Sequence, residues 1–157
     1  MTGTIHQINL SDGGVPKLPV DRAEILVGGA VGDHQNDAIH HGGPDQDLCI
    51  YSLEVIEKLQ AEGHPIEPGF AGENLTLSGI AWDDLRSGVT LQFGDTVVAQ
   101  LTSPAIPCSK TASCFADRNF RRIHHDLHPG DGRWYARVIT PGFVNSGDAV
   151  VLRGIAR

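Results

Sequence analysis

Two of the three cysteines in this chain lie close together, and one of them, Cys108, has the setting of a functional thiol. It follows Pro107 at the predicted end of a β-strand and precedes Lys110 by two residues. A rigid turn with a nearby cation favours a presented thiolate of lowered pKa, which could be reactive or could bind a metal. Cys49 lies in the apolar run "DLCIY", and Cys114 lies beyond the turn. We expect both to be packed side chains, with a resolving thiol as the alternative for Cys114.

The histidines form two clusters, "HQNDAIHHGG" and "HHDLH". On a helix, His124 and His128 would share one face, which is the i, i+4 spacing of some zinc ligands. The acid of a metalloprotease motif and a CxxC pair are both absent, so a solvated helix end is the preferred interpretation. His41 precedes Gly42 and Gly43, where a backbone without Cβ atoms can approach a bound group closely. His41 is therefore the better candidate for a site.

An acid and an amide stand side by side in "GFAGENL", at the entrance to a predicted strand. The preceding glycine lets this loop bend, so Glu73 and Asn74 could both point inward. From spacing alone, a turn residue and a surface acid are the commoner explanation. The sequence contains no Gly-x-Ser-x-Gly elbow, so it does not support a serine hydrolase of that kind. It also contains no Gly-rich phosphate loop of the P-loop or dinucleotide type, so it does not support such a nucleotide site.

The net charge of −7 is unevenly distributed along the chain. An acidic protein lacks the basic field that neutralises phosphates, so nucleic acid is not an expected partner. Residues 109–137 nevertheless contain six cations and three anions, and this basic segment begins directly after Cys108. It could face an anionic ligand, or it could be a solvated helix face.

Short β-rich runs dominate the elements that must position these residues. The sequence predicts strands at "TIHQINL", "EILV", "DLCIY", "ENLTLSGI", "VTLQF", "TVVAQLTS" and "RWYARVI", with a further β region to the end of "TPGFVNSGDAVVL". A helix is predicted from Ser52 to Ala61, with Ser52 as its cap and Gly63 at its end. The sequence predicts one irregular helix within residues 112–132, and this helix ends before Pro129. This order favours a mainly β (α+β) fold, a small barrel or sandwich, over a parallel α/β sheet.

Length and composition predict one soluble domain. A chain of 157 residues with 40% hydrophobic content can bury a single core, so we expect one domain over residues 1–157. An odd number of cysteines does not fit a disulfide-stapled secreted domain. Neither a secretory leader nor a run of about 18 apolar residues is present, so a cytoplasmic protein without membrane contact is expected.

Five motifs, in order, carry a family resemblance: "GDHQNDAIHHGGPDQDLCIYS", "GFAGENLTLSGI", "FGD", "SPAIPCSK" and "GRWYARVITPGFVNSGDAVVL". Together they closely resemble the MOSC domain, named for the C-terminal domain of molybdenum cofactor sulfurase. The similarity extends from about Gly3 to Leu152. It implies a single stand-alone, bacterial-type MOSC domain with a β-barrel-like body and a few peripheral helices.

The resemblance also implies a role for the thiol. Cys108 corresponds to the family's central cysteine, which is thought either to bind molybdenum held by a pterin dithiolene or to carry sulfur as a persulfide. The pterin ends in a phosphate, for which the basic segment, including Lys110 and Arg118, offers partners. The residues that match the family's pocket loops are Asp33, His41, Gly42, Gly43, Glu73 and Asn74.

Three functions follow from this resemblance and remain alternatives. An enzyme would reduce N-hydroxylated substrates with electrons from a separate reductase, because the chain has no flavin or iron–sulfur motif. A carrier would receive sulfur from a donor protein and pass it on. A non-catalytic β-domain that binds a partner or an anionic ligand is the third, since Ala105 stands where many relatives have an arginine before x-Pro-Cys. Pyridoxal phosphate is not expected, because Lys17, Lys58 and Lys110 lie in no recognisable pocket for it.

Overall fold

The computed structural model describes residues 2–33 and 45–155, which form a closed, mixed β-barrel of seven strands. The elements in chain order are β1 (Thr2–Leu10), β2 (Leu18–Val20), β3 (Arg22–Leu26), β4 (Gly29–Ala30), β5 (Leu48–Ser52), α1 (Leu53–Ala61), β6 (Leu75–Ser78), β7 (Val89–Phe93), β8 (Val97–Pro104), β9 (Trp134–Thr140), β10 (Gly142–Asn145) and β11 (Ala149–Ile155). Three short 3-10 helices span Trp82–Asp84, Ser109–Cys114 and Phe120–Ile123. The prediction of a mainly β barrel with few helices is confirmed.

The barrel follows the strand order β11-β7-β8-β9-β5-β6-β1 and closes where β1 pairs with β11. In that closing pair Thr2 lies opposite Val151. Strand β2 extends the sheet beside β1, and β10, β3 and β4 form a separate three-stranded sheet. Strands β5 and β6 are parallel, whereas the other paired strands are antiparallel. A parallel pair requires a crossover connection, and α1 lies in that connection.

The alternating pattern of β7 and β8 builds one wall of the core. In β7 the buried residues Val89, Leu91 and Phe93 alternate with half-exposed polar residues, as the sequence predicts. In β8 the same alternation buries Val97 and Leu101, among others. Successive side chains of a strand point to opposite faces, so this pattern places one face of each strand in the barrel interior.

Helix α1 begins one residue after the predicted start, with Ser52 as its cap, and ends at the predicted Ala61. The Ser52 hydroxyl accepts the Val55 backbone N–H at 3.1 Å, which caps the first turn. Ile56 and Leu59 are fully buried against the barrel. Gly63, with φ of +99°, follows the last turn in a conformation that favours glycine.

The prediction of one irregular helix over residues 112–132 is wrong. The chain forms two separate 3-10 helices there, Ser109–Cys114 and Phe120–Ile123. Between them the Asp117 carboxylate accepts the Asn119 backbone N–H at 3.0 Å, and a local bond of this kind competes with helical pairing. His124 and His128 consequently share a single turn rather than the face of a regular helix. Within the described ranges, the helices are too short and too polar to cross a bilayer.

Candidate functional site

The candidate site lies around the start of β9, between the end of β8 on one side and the β5–β6 pair on the other. The pairing register places Pro104 opposite Trp134, Trp134 opposite Ile50, and Ile50 beside Leu75. These four residues form one row across four neighbouring strands. We call the residues that flank this row the site rim. Cys108 follows Pro104 in the chain. Arg133 precedes Trp134, on the Tyr51 side of the row, whereas Glu73 and Asn74 precede Leu75, on the Cys49 side.

Cys108 is the most accessible of the three thiols. It is partly exposed, whereas Cys49 and Cys114 are buried, as expected for packed side chains. The Cys108 carbonyl accepts both the backbone N–H of Thr111 at 3.0 Å and its hydroxyl at 2.9 Å. Pro107 on one side and Thr111 on the other are buried. The backbone that carries the thiol is therefore anchored on both sides.

Asn74 and Asp33, two of the predicted pocket residues, are in direct contact. The Asn74 side-chain amide donates to Asp33 Oδ2 at 2.8 Å. Lys17 Nζ donates to the same carboxylate oxygen at 2.6 Å, in an ion pair that is largely shielded from solvent. The Ser11 backbone N–H donates to Asp33 Oδ1 at 2.9 Å. Asp33 therefore ties the segment after β1 to the loop before β6.

Glu73 is fully buried, so the interpretation of it as a surface acid is wrong. Its Oε2 accepts the Gly69 backbone N–H at 3.0 Å and the Thr76 hydroxyl at 2.8 Å. Burial raises the pKa of this carboxyl group, and these hydrogen bonds oppose that effect. Its other oxygen, Oε1, has no hydrogen-bond partner among the described residues. Glu73 thus holds its loop in shape and keeps one unused acceptor.

Arg133 carries a buried positive charge at the rim, and sequence reasoning did not single it out from the basic segment. It is 5% exposed, and its Nη1 donates to the Ala71 carbonyl at 2.7 Å. Burial lowers the pKa of Arg133, but the acidic groups around it, beginning with Cys49 and Tyr135, more than offset this effect. The guanidinium is therefore charged in the folded protein.

Tyr135 lies in the buried part of the site, between β5 and the residue that follows β8. It lies opposite Cys49 in the antiparallel register of β5 and β9, and both pack with Ala105 in a small buried cluster. Burial raises the pKa of Tyr135 to about 12, and the neighbouring Cys49 and Cys108 add to this effect while Arg133 opposes it. Burial likewise raises the pKa of Cys114 to about 11, with Glu73 adding to it. These groups therefore share one electrostatic environment.

The remaining cations of the basic segment have different settings. Lys110 and Arg118 are exposed. Arg122 forms ion pairs of 2.7 Å with both Glu62 and Asp131, which tie α1 to the loop before β9. Arg137 donates to Gln100 at the surface. Lys110 and Arg118 are thus candidates for a ligand only at the outer edge of the rim, and that role stays a prediction.

Three of the predicted pocket residues, His41, Gly42 and Gly43, lie outside the described residues, as do His34 and His40. In the second histidine cluster, the rings of His124 and His125 are stacked with centroids 4.9 Å apart. Across residues 2–33 and 45–155, no group of three or more His, Cys, Asp or Glu side chains is placed to hold a metal ion.

Comparison with known proteins gives a match of residues 37–151 to the model of the MOSC domain. The chain is 30% identical over 137 residues to the uncharacterized protein YflK of Bacillus subtilis, and the match covers 85% of this chain and 60% of YflK. It is 28% identical over 129 residues to a Gibberella moniliformis protein named "Reductase", covering 79% of this chain and 22% of that protein. The chain thus spans less than two thirds of the length of these relatives.

A similar solved structure is the crystal structure of YiiM from Geobacillus stearothermophilus. Its TM-score is 0.73 at 26% sequence identity, and the match covers 96% of this chain and 74% of that chain. The barrel architecture described above is therefore shared with an experimentally determined structure.

Proposed function

Because the chain belongs to the MOSC domain family, we propose that it binds the molybdenum cofactor and that the Cys108 thiolate holds the metal. The observation that carries this proposal is the contrast among the three thiols. Cys108 is partly exposed on an anchored loop, while Cys49 and Cys114 are buried. A thiolate is a ligand that soft metals prefer, and only an accessible one can meet an incoming group.

The residues around Cys108 fit the chemistry of such a group. A pterin cofactor with a phosphate needs a soft ligand for its metal and positive charge for its anionic end. Cys108 offers the first, and the rim offers the second in the buried Arg133 and the exposed Lys110 and Arg118. Glu73 and Asn74 fix the loop beside them through hydrogen bonds to backbone and side chains. When bound, the cofactor would supply a metal able to pass electrons to a substrate.

We assign the chain to the reduction of N-hydroxylated substrates. The relative named "Reductase", of which the match covers 22%, supports a reduction as the type of reaction. In the proposed reaction the N–O bond breaks: R₂N–OH + 2 e⁻ + 2 H⁺ → R₂NH + H₂O. The electrons come from a separate reductase protein, and the protons come from solvent.

The same accessible thiol also supports a second candidate, sulfur transfer. In that function the Cys108 thiolate attacks a persulfide donor: Cys108–S⁻ + R–S–SH → Cys108–S–SH + R–S⁻. The donor is reduced to a thiolate, and the outer sulfur moves to Cys108. Such a reaction needs an exposed thiolate but no metal.

Elemental analysis of protein made in a cofactor-producing host tests the proposal. We expect bound molybdenum in the wild type, at least a tenfold loss in Cys108→Ser, and retention in Cys114→Ser. The loaded wild type should reduce an N-hydroxylated base when a generic reductase supplies electrons. Sulfur labelling of Cys108 without molybdenum or turnover would favour the carrier. If the protein held neither molybdenum nor sulfur, the proposal would fail, and the non-catalytic binding domain would be favoured.

A further inference from the structure

The Arg133 guanidinium has one satisfied edge and one unused edge. Nη1 donates to the Ala71 carbonyl, but Nε and Nη2 have no oxygen acceptor among the described residues. The Cys49 thiol is near enough to interact with this guanidinium, but a thiol sulfur is only a weak hydrogen-bond acceptor. In a guanidinium, the N–H groups of Nε and Nη2 point in the same direction and form a parallel pair of donors. The unused edge is therefore the edge that binds an oxyanion through two bonds.

Among the residues that the structure describes, no carboxylate neutralises this charge by contact. Within residues 2–33 and 45–155, no ion pair within 4.0 Å includes Arg133. Glu73, the carboxylate that interacts with it electrostatically, directs Oε2 to Gly69 and Thr76 instead. A buried charge with two unused donors costs free energy of folding, and such costs are tolerated where a ligand completes the site.

Ala105 is the backbone neighbour of Arg133 on the adjacent strand. The Ala105 backbone N–H donates to the Arg133 carbonyl at 2.9 Å, so positions 105 and 133 are neighbours at the ends of β8 and β9. The Ala105 side chain is fully buried against Cys49 and Tyr135. A side chain at position 105 therefore starts from the strand adjacent to Arg133.

We propose that Arg133 is the oxyanion-binding residue of this site and that its Nε–Nη2 edge holds one phosphate-like group of the ligand. This inference deepens the proposed function, on which it rests for the identity of the ligand. The group is either the phosphate of the pterin or a free tetrahedral oxyanion, since both present paired oxygens to the same edge.

Thermal unfolding of cofactor-free protein with increasing phosphate or molybdate tests direct oxyanion binding. Anions that bind the folded state raise the midpoint of unfolding in proportion to the logarithm of their concentration. We expect the rise in the wild type and in Arg137→Gln, which changes an exposed arginine on β9, and its loss in Arg133→Gln. A general salt effect would raise all three equally and would overturn the proposal for free oxyanions.

Retention of the pterin tests whether the cofactor's phosphate is the group that Arg133 binds. The pterin of protein from a cofactor-producing host is released, oxidised and measured by fluorescence. We expect at least a tenfold loss in Arg133→Gln and also a loss in Arg133→Lys, because lysine keeps the charge but has no parallel donor pair. The exchange variant Ala105→Arg with Arg133→Ala should recover part of the retention. If Arg133→Gln does not fold, Arg133→Lys and the exchange variant carry the test.

The outcomes separate this inference from the proposed function. A response to free oxyanion that depends on Arg133 supports the site even if no molybdenum is ever retained. Pterin loss in the Arg133 variants without a free-oxyanion response supports the cofactor phosphate as the occupant. If Cys108→Ser loses molybdenum while both Arg133 variants keep the pterin and show the wild-type oxyanion response, the proposed function stands and this inference is wrong.

Discussion

Asn74 and Cys49 bind each other through two hydrogen bonds. The Asn74 side-chain oxygen accepts the Cys49 backbone N–H at 3.0 Å, and the Asn74 backbone N–H donates to the Cys49 carbonyl at 2.8 Å. The side-chain amide then donates to Asp33. Asn74 thereby connects β5, the loop before β6 and the Asp33 carboxylate of the Lys17 ion pair.

Replacing Asn74 by alanine should destabilise the protein by about 2–4 kcal/mol, because it leaves the buried Cys49 backbone N–H without a partner and removes one of the donors to Asp33. Urea unfolding followed by circular dichroism measures this change. Asn119→Ala alters an exposed asparagine and should stay within about 0.5 kcal/mol of the wild type. Equal stabilities for the two variants would contradict the role of Asn74.

The three thiols should react with iodoacetamide at different rates in folded, cofactor-free protein. Cys108 is partly exposed, whereas burial shields Cys49 and Cys114 and raises the pKa of each thiol. We therefore expect Cys108 to be alkylated first, by at least an order of magnitude in rate near neutral pH. Peptide mass spectrometry over time gives the three rates. If the three thiols reacted at equal rates in the folded protein, and at those same rates in urea, burial would not protect Cys49 and Cys114.

The stability contribution of Glu73 should depend on pH in a defined direction. Burial raises its folded-state pKa above the ordinary value of 4.5, so the folded protein holds this proton more tightly than the unfolded chain does. The stability of the wild type relative to Glu73→Gln should therefore be greatest below pH 4.5 and decline as the pH rises through the raised pKa. Urea unfolding of both proteins from pH 4 to pH 7.5 measures the difference, and a constant difference would refute it.

Gly69 should tolerate alanine far less well than Gly63 does. Both have a positive φ, +87° for Gly69 and +99° for Gly63, and this backbone strain costs about 1–3 kcal/mol with alanine. A Cβ at Gly69 would also collide with the Lys17 carbonyl, whereas a Cβ at Gly63 meets nothing within 4 Å. We expect Gly69→Ala to be the less stable variant by a further 1–3 kcal/mol or so in thermal and urea unfolding. The reverse order would show that the loop adjusts freely.

Local sequence patterns predicted most of the fold. Alternation in β7, the Ser52 cap and Gly63 each act within a few residues, so they can be read without tertiary information. The helix predicted over residues 112–132 was wrong because Asp117 binds the backbone two residues on and breaks the helical pairing. The parallel pairing of β5 with β6 depends on contacts far apart in sequence and could not be read in this way.

The site was predictable only in part. Cys108 stands out because a proline precedes it, and Glu73 and Asn74 stand out as adjacent polar residues before a strand. Arg133 and Arg137 occupy equivalent places in an alternating strand pattern, yet the first is buried and the second is exposed. No local pattern distinguishes the two arginines, because the setting of Arg133 depends on residues far away in sequence, such as Ala71, whose carbonyl accepts its Nη1 hydrogen bond.

The closure of the barrel between β1 and β11 has a consequence for the order of folding. The paired residues Thr2 and Val151 lie almost the whole described chain apart, whereas β7 and β8 form a hairpin. Bringing distant segments together carries the largest loss of chain entropy, and this loss is offset only once the intervening strands are in place. The hairpin should therefore form early and the β1–β11 seam late. The same seam is then the first place where the closed barrel opens, and its amide hydrogens should exchange with solvent before those of the hairpin.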